Sequence, residues 1–270
     1  MSTAMIQGLL NTGTDPNSIS VSDPSLDSLQ KFTQLHHKFS SNNEAFLKPV
    51  PAQVLILCVK PQVMKQVLHG LSELILAHRP LIISIAAGIT AQDISTWSIS
   101  SNPSVGTLPE IVRVMPNTPA LVNQGASGLY AMNCRDESKE VAFKLMQSIS
   151  KVLHWVDKEE LIDTVTAISG SGPAYFFLLV ECLVDAGVKA GLDYQVAKEL
   201  ASQTCLGAGQ MLMNTSDSPA LLRKKVTSPQ GTTEAGIKTM EANGLRQCVL
   251  MGAEAARKRS EELGCELGRL

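Results

Sequence analysis

Short apolar runs alternate with helix-compatible stretches along the first 156 residues of the chain. Two of these runs, residues 54–59 and 81–85, are apolar at nearly every position and rich in branched side chains, a pattern typical of strands covered on both faces by helices. The alternation predicts an α/β domain with a doubly wound parallel sheet and right-handed crossovers. The predicted strands are residues 19–22, 54–59, 81–87, 111–115 and 152–156, and the predicted helices between them are residues 62–76, 90–97 and 138–150.

Beyond about residue 160 the pattern is helical throughout. One side of the first predicted helix carries an apolar stripe flanked by alanine and glycine, so we expect several neighbouring helices or a partner subunit to cover it. The pattern therefore predicts an α/β domain over residues 1–157 and an all-helical domain over residues 158–270. The stripe consists of Tyr175, Leu178, Leu179, Cys182 and Leu183, and the predicted helices are residues 174–190, 194–213, 229–242 and 245–263.

The beginning of the chain departs from the pattern of such a domain. A doubly wound domain that binds a dinucleotide starts with a strand, a glycine-rich turn and then a helix. Residues 1–10 already have the pattern of that first helix, and neither a strand nor a GxGxxG motif precedes them.

Composition narrows the class of protein. The chain has 270 residues, of which 44% are hydrophobic and 18% are charged, with a net charge of -2. These values exclude a disordered chain and give no electrostatic reason to expect a nucleic-acid partner. No unbroken apolar run approaches the roughly 18 residues that span a bilayer, and residues 1–10 lack the basic start of a signal peptide. Six cysteines without a CxxC pair indicate a reducing cytoplasm and predict no metal site, and the pair His36-His37 is assigned to a polar helix.

Three motifs follow the predicted strands at their carboxyl ends, where open α/β sheets bind ligands. They are Lys60-Pro61, Ala86-Ala87-Gly88 and the segment around Asn117. Small residues let the backbone approach a ring, and lysine and asparagine offer donors, so the edge suits a bound dinucleotide. Taken alone, Lys60 would more often be a solvated side chain, and Ala-Ala-Gly would more often reflect close packing.

Residues 226–234 crowd hydroxyl groups around the start of a predicted helix. Ser228 is predicted to cap that helix, with Pro229 at its first position. The free N–H groups of the first turn would then bind a carboxylate, although a helix that caps only itself is the competing interpretation. A second turn, residues 169–174, would either present backbone to a ligand or join the two domains. The hydroxyl residues are Thr227, Ser228, Thr232 and Thr233.

Five motifs together closely resemble the pyrroline-5-carboxylate reductase family over essentially the whole chain. The resemblance implies an N-terminal Rossmann domain that binds NADPH or NADH and a C-terminal helical domain that forms a homodimer or a larger homo-oligomer. It also implies reduction of 1-pyrroline-5-carboxylate to L-proline, the last step of proline synthesis. The motifs are VKP at 59–61, SIAAGIT at 84–90, RVMPNTPALVNQG at 113–125, SGSGPAY at 169–175 and VTSPQGTTEAG at 226–236.

The resemblance also implies residue roles. It implies that Asn42 lies near the adenosine half of the cofactor and that Ser25 lies near a 2′-phosphate. Asp23, which is close to Ser25 in sequence, is a poor neighbour for that phosphate. The imine nitrogen of the substrate would accept a hydrogen bond from Thr233. The nicotinamide half would lie against Lys60, Pro61, Ala86, Ala87 and Gly88, and the substrate would bind Asn117, Thr227, Ser228, Gly231, Thr232 and Thr233.

Two departures from the family pattern leave an alternative open. Gln230 stands where the family usually has a small residue, commonly glycine. In the family, a strand and a glycine-rich turn precede the residue that aligns with Met1, so we expect the natural protein to be about twenty residues longer. The alternative is a truncated or degenerate copy that keeps the helical dimer and binds cofactor poorly. A hydroxyacid dehydrogenase is disfavoured because the first long helix of the helical domain has only Lys189, at its far end.

Overall fold

The computed structural model describes residues 1–40, 52–104 and 106–268, and it divides into two compact units. One unit comprises Met1–Gly170 together with Ala256–Leu270, and the other comprises Ser171–Ala255. The first unit contains every strand of the described chain, and the second is helical.

The strands of the first unit form two sheets. In the larger sheet the order is β3-β4-β5-β6-β7, and every neighbouring pair is parallel except β5 and β6. Within the described residues, β1 and β2 form a separate parallel pair. The strands are β1 (Ser20–Ser22), β2 (His37–Phe39), β3 (Val54–Leu57), β4 (Leu81–Ser84), β5 (Ile111–Met115), β6 (Gly125–Met132) and β7 (Ser150–Trp155).

Helices cover both faces of the larger sheet, which confirms the doubly wound α/β prediction. One core contains Leu68, Ile82 and Ile94, and the other contains Met5, Ile83 and Met146. Neighbouring residues of β4 thus point into opposite cores, which explains why three consecutive residues, Leu81 to Ile83, are apolar. The helices of this unit are α1 (Ser2–Asn11), α2 (Leu26–Gln30), α3 (Pro61–His78), α4 (Ala91–Ser98), α5 (Asp136–Gln147) and α6 (Leu161–Val165), joined by the end of α11 (Leu245–Gly268).

Two strands, β2 and β6, were not predicted from the sequence. The sequence of β6 is rich in small residues and contains two glycines, which are more typical of a loop. A side chain at Gly128 would lie 2.6 Å from Val165, so the glycine permits close packing of α6. The assignment of His36-His37 to a polar helix is wrong, because His37 begins β2 and pairs with Ser20.

The second unit contains α7 (Gly172–Lys189), α8 (Tyr194–Met213), α9 (Pro219–Lys225), α10 (Thr232–Ala242) and the first part of α11. The turn predicted over residues 169–174 is wrong. A π-helical segment, Thr166–Gly170, follows α6 instead, and α7 begins two residues later. The short helix α9 was not predicted, because Pro219 at its first position and three basic residues at its end resemble a loop.

Within this chain, the apolar stripe of α7 is exposed rather than covered. Phe176 and Phe177 beside it are 59% and 69% exposed. The segment Leu161–Lys189 is also long and apolar enough, by length and composition alone, to cross a membrane, which a search for unbroken apolar runs did not reveal. A helix that buries its apolar side against a second copy of the chain has the same composition.

Candidate active site

The carboxyl ends of β3, β4 and β5 meet at one edge of the larger sheet, as predicted from the sequence. The parallel registers set Leu57 opposite Ser84, and Ser84 opposite Arg113. Lys60 follows β3 at this edge and precedes α3, with Pro61 as the first residue of that helix. Its side chain is exposed and makes no ion pair with another described residue, so its ammonium group is available to a ligand.

The turn after β4 has two different surfaces. Ala86 and Ala87 are half-buried, whereas Gly88 is buried and has a φ of 78°. A side chain at Gly88 would lie 3.3 Å from the backbone nitrogen of Gly264 in α11. Because Gly88 has no side chain, α11 can pack directly against it. The two alanines leave a shallow surface at the sheet edge that also carries Lys60.

Asn117 lies in the loop after β5 and is only 8% exposed. Its Nδ2 donates to the carbonyl oxygen of Ser169 at 3.0 Å, and its Oδ1 accepts from the N–H of Ala126 at 3.0 Å. Both ends of the amide are thus engaged within the unit. Asn117 fixes the π-helical segment and the start of β6, and it offers little to a ligand in this conformation.

Ser25 lies just beyond the carboxyl end of β1 and is the N-cap residue of α2. Its Oγ accepts from the N–H of Ser28 at 3.3 Å, which leaves the hydroxyl proton available. Its own N–H donates to the Oδ1 of Asp23 at 2.8 Å, so a carboxylate stands beside the position at which the resemblance implies a 2′-phosphate. Asn42 lies outside the described residues.

In the second unit, the helix predicted to begin at Pro229 begins at Thr232 instead. Ser228 does not cap it: Gly231 is the capping residue, and no side chain of the described chain caps the helix. Residues 228–231 form a turn, closed by the N–H of Gly231 donating to the carbonyl oxygen of Ser228 at 3.0 Å. A glycine with extended backbone angles ends this turn, which delays the helix by one turn.

The uncapped start leaves donors unsatisfied. The N–H groups of Thr232, Thr233 and Glu234 have no backbone acceptor in the first turn of α10. The hydroxyls of Ser228, Thr232 and Thr233 make no hydrogen bond to another described residue. Such an amide end with its helix dipole attracts a carboxylate.

Two neighbours of this amide end are already engaged. The hydroxyl of Thr227 donates to the carbonyl oxygen of Arg223 at 2.6 Å, which leaves only acceptor capacity. The N–H of Gln230 donates to the Oε2 of Glu234 at 2.7 Å. Gln230 itself has a φ of 60°, the left-handed region that glycine adopts without strain.

The sequence analysis missed a buried ion pair in the first unit. Arg113 is 5% exposed and lies 2.6 Å from the Oε1 of Glu159, which follows β7. A single arginine within the apolar run 111–115 was a signal that a buried partner exists. Its identity could not be deduced, because the partner lies 46 residues away in sequence.

Comparison with known proteins gives consistent relationships. Residues 159–263 match the family described as pyrroline-5-carboxylate reductase dimerisation, and residues 1–88 match the family described as NADP oxidoreductase, coenzyme F420-dependent. The chain is 43% identical to pyrroline-5-carboxylate reductase of Pseudomonas aeruginosa over 272 residues, covering 100% of this chain and 95% of that protein. It is 37% identical to that of Haemophilus influenzae, covering 97% and 94%.

Solved structures give the same relationship. A pyrroline-5-carboxylate reductase from Coxiella burnetii superposes with a TM-score of 0.88 at 38% identity, covering 97% of this chain and 94% of that one. The enzyme from Plasmodium falciparum, solved with NADP bound, has a TM-score of 0.82 at 31% identity over 97% and 94% of the two chains. From these similarities we conclude that the chain belongs to the pyrroline-5-carboxylate reductase family.

Proposed function

We propose that this chain reduces 1-pyrroline-5-carboxylate to L-proline with NADPH, the final step of proline biosynthesis. The uncapped amide end of α10 is the observation that carries this proposal. It combines unsatisfied N–H groups with two free threonine hydroxyls, Thr232 and Thr233, and the substrate is a small ring that carries a carboxylate beside an imine. Relatives named for this activity at 37–43% identity support the assignment over a degenerate copy.

The substrate carboxylate is proposed to bind the N–H groups at the start of α10. Hydrogen bonds between amides and a carboxylate are charge-assisted and about twice as strong as neutral ones. The hydroxyls of Ser228 and Thr232 would donate further hydrogen bonds to it. The hydroxyl proton of Thr227 is already donated within the chain, so Thr227 has a structural role in this conformation.

Thr233 is proposed to donate a hydrogen bond to the imine nitrogen, which gains electron density during reduction. When bound, NADPH would supply a hydride to the C=N carbon, and a proton from water would complete the reduction at the nitrogen. The chain must then hold the ring in position, which lowers the barrier by about 7 to 11 kcal/mol in favourable cases. A hydroxyl donor at the developing amine adds electrostatic stabilisation.

The first unit fits a pyridine dinucleotide in three respects. Lys60 offers a free ammonium at the carboxyl edge of the sheet, and Ala86 and Ala87 form a shallow surface beside it. Ser25 retains a free hydroxyl proton near the end of β1. The carboxylate of Asp23 fits a ribose hydroxyl better than a phosphate, which limits the proposed preference for NADPH over NADH to a modest one. NADP bound to the Plasmodium falciparum enzyme supports the choice of cofactor.

The domain assignment and the assembly belong to the same proposal. Residues 1–157 would bind the dinucleotide, and residues 158–270 would bind the substrate and dimerise. The exposed side chains of Phe176, Phe177 and Leu178 support a homodimer or larger homo-oligomer built on α7, as does the match to the dimerisation family. We propose that the enzyme acts in the cytoplasm on a small-molecule substrate.

A steady-state assay tests the proposal by comparing two substrates, 1-pyrroline-5-carboxylate and 1-pyrroline, which lacks the carboxylate. NADPH consumption should be faster with the first substrate, with kcat/KM higher by about tenfold or more, because charge-assisted hydrogen bonds are lost with the second. No consumption of NADPH above the enzyme-free rate would overturn the proposed activity. Equal kcat/KM for the two substrates would overturn the role of the α10 amide end.

A further inference from the structure

One carboxylate oxygen in the first unit holds two separate segments of the chain. The Oε1 of Glu159 accepts from the Nη1 of Arg113 at 2.6 Å and from the backbone N–H of Ala91 at 2.6 Å. Both hydrogen bonds are charge-assisted and largely screened from water, since the side chains of Arg113 and Glu159 are 6% and 21% exposed. Glu159 therefore ties the segment after β7 to the middle of β5 and to the first residue of α4.

The contact with Ala91 controls how α4 begins. Thr90 and Asp93 form a reciprocal cap: the Thr90 hydroxyl accepts from the N–H of Asp93, and the Asp93 carboxylate accepts from the N–H of Thr90. This arrangement leaves the N–H of Ala91 without an acceptor from the helix, and Glu159 provides one. The negative charge also lies at the positive end of the helix dipole.

The turn Ala86–Gly88 lies between the end of β4 and this anchor, and the N–H of Ala86 donates to the Oγ of Ser84 at 3.3 Å. Gly88, the last residue of the turn, packs so closely on α11 that a side chain there would meet Gly264 and Leu263 at 3.3 Å. Only Ile89 and Thr90 separate Gly88 from Ala91. The backbone of the turn is thus fixed at its start by the end of β4 and at its end by α11, and Glu159 holds the chain at Ala91, three residues further on.

We propose that Glu159 is a positioning residue for the cofactor: it sets the backbone of the Ala86–Gly88 turn through the N–H of Ala91, while Arg113 holds its carboxylate in place. The inference rests on the proposed function, in which Ala86 and Ala87 line the dinucleotide site. Glu159 itself does not touch the cofactor. Because the turn is the surface on which the ring rests, loss of the anchor weakens NADPH binding more than it changes the chemical step.

Two double variants separate this role from the general stability of a buried ion pair. Both carry Arg113→Met, which removes the buried cation. In R113M/E159Q the amide oxygen still accepts from the N–H of Ala91, whereas in R113M/E159L nothing does. Replacing a buried ion pair by apolar groups of similar volume is often neutral for stability, so we expect both variants to fold.

The measurements are the Kd of NADPH from its fluorescence on binding, the Tm of the free protein, and kcat and KM. The Kd of R113M/E159L should exceed that of the wild type by about three- to tenfold, with kcat within about twofold. The Kd of R113M/E159Q should remain within about twofold of the wild type. Equal Kd values for the Leu and Gln double variants would overturn the positioning role.

Two further variants keep the test decisive. Glu110→Leu breaks a similar carboxylate–arginine contact at the opposite, amino-terminal edge of β5, so it should lower Tm without changing the Kd of NADPH. The single variant Glu159→Gln should lower Tm because Arg113 loses its charge partner, yet keep the wild-type Kd; a Kd raised tenfold there would contradict the proposal. Failure of the wild type to bind NADPH would instead overturn the proposed function itself.

Discussion

The backbone N–H of Gln230 donates to the carboxylate of Glu234, 2.7 Å away, across the first turn of α10. Glu234 also pairs with Lys238, and the hydrogen bonds from Lys238 and from the Gln230 backbone lower the pKa of Glu234 below its ordinary value. This closure holds Gln230 at a φ of 60°. Gln230 thus adopts a left-handed backbone conformation that its side chain disfavours.

Gln230→Gly should therefore stabilise the protein by about 1 kcal/mol, because glycine adopts this conformation without the steric cost. The free energy of unfolding from urea titration measures the change. Gln210→Gly, on an exposed position within α8, is the matched control and should cost about 1 kcal/mol. Destabilisation by both substitutions would contradict the strain assigned to Gln230.

Thr233→Ala should lower kcat by about tenfold or more, because the developing amine loses its hydroxyl donor. The Kd of NADPH should remain within about twofold of the wild-type value. The control is Thr239→Ala in the same helix, whose hydroxyl donates to the carbonyl oxygen of Ala235 at 2.9 Å. An unchanged kcat for Thr233→Ala would remove this residue from the mechanism.

Asp23→Asn should strengthen NADPH binding relative to NADH by about three- to tenfold, because it removes a negative charge near the proposed 2′-phosphate position. The asparagine keeps an oxygen that can accept from the N–H of Ser25, as Asp23 does at 2.8 Å. Fluorescence titrations with the two cofactors measure the ratio of Kd values. Asp27→Asn, exposed in the first turn of α2, should leave that ratio unchanged; an identical shift in both variants would reject a local effect of Asp23.

The carboxylate of Glu110 should make stability depend on pH on the acidic side. Burial raises its pKa, but hydrogen bonds from the side chain and backbone of Arg135 and from Ser138 outweigh burial, and the pKa lies below its ordinary value of 4.5. The unfolded state then binds the proton more readily. The contribution is complete above pH 4.5 and is lost as the pH falls through the lower pKa of the folded state.

Glu110→Gln should consequently flatten the decline of unfolding free energy between about pH 6 and pH 3. Urea titrations across that range measure it. Glu73→Gln is the control, since Glu73 is exposed on α3 and makes no hydrogen bond to another described residue. A decline as steep in Glu110→Gln as in the wild type would assign the acid sensitivity to other carboxylates.

Much of the sheet followed from the sequence because its strands are buried on both faces. The runs around Ile82 and Val112 are apolar except at Ser84 and Arg113, and they are too short to be helices. The strand β6 could not be recognised, because glycine has a low strand propensity. Gly125 and Gly128 are needed there because Ile149 and Val165 lie too close for a side chain.

At the candidate site, local motifs predicted which segments lie at the sheet edge and which helix start is rich in hydroxyls. They could not predict how individual groups are used. Ser228 was expected to cap α10 because of its residue type, but the turn closed by Gly231 displaces the start of the helix. The partners of Asn117 and Arg113 lie far away in sequence, so only the folded chain reveals that both are engaged.

A crystal structure of the protein with L-proline and NADP⁺ tests the central claim most directly. We predict that the carboxylate of proline lies within hydrogen-bonding distance of the N–H groups of Thr232 and Thr233, with its ring nitrogen near the Thr233 hydroxyl. Proline bound elsewhere, with only water at the amide end of α10, would contradict the account.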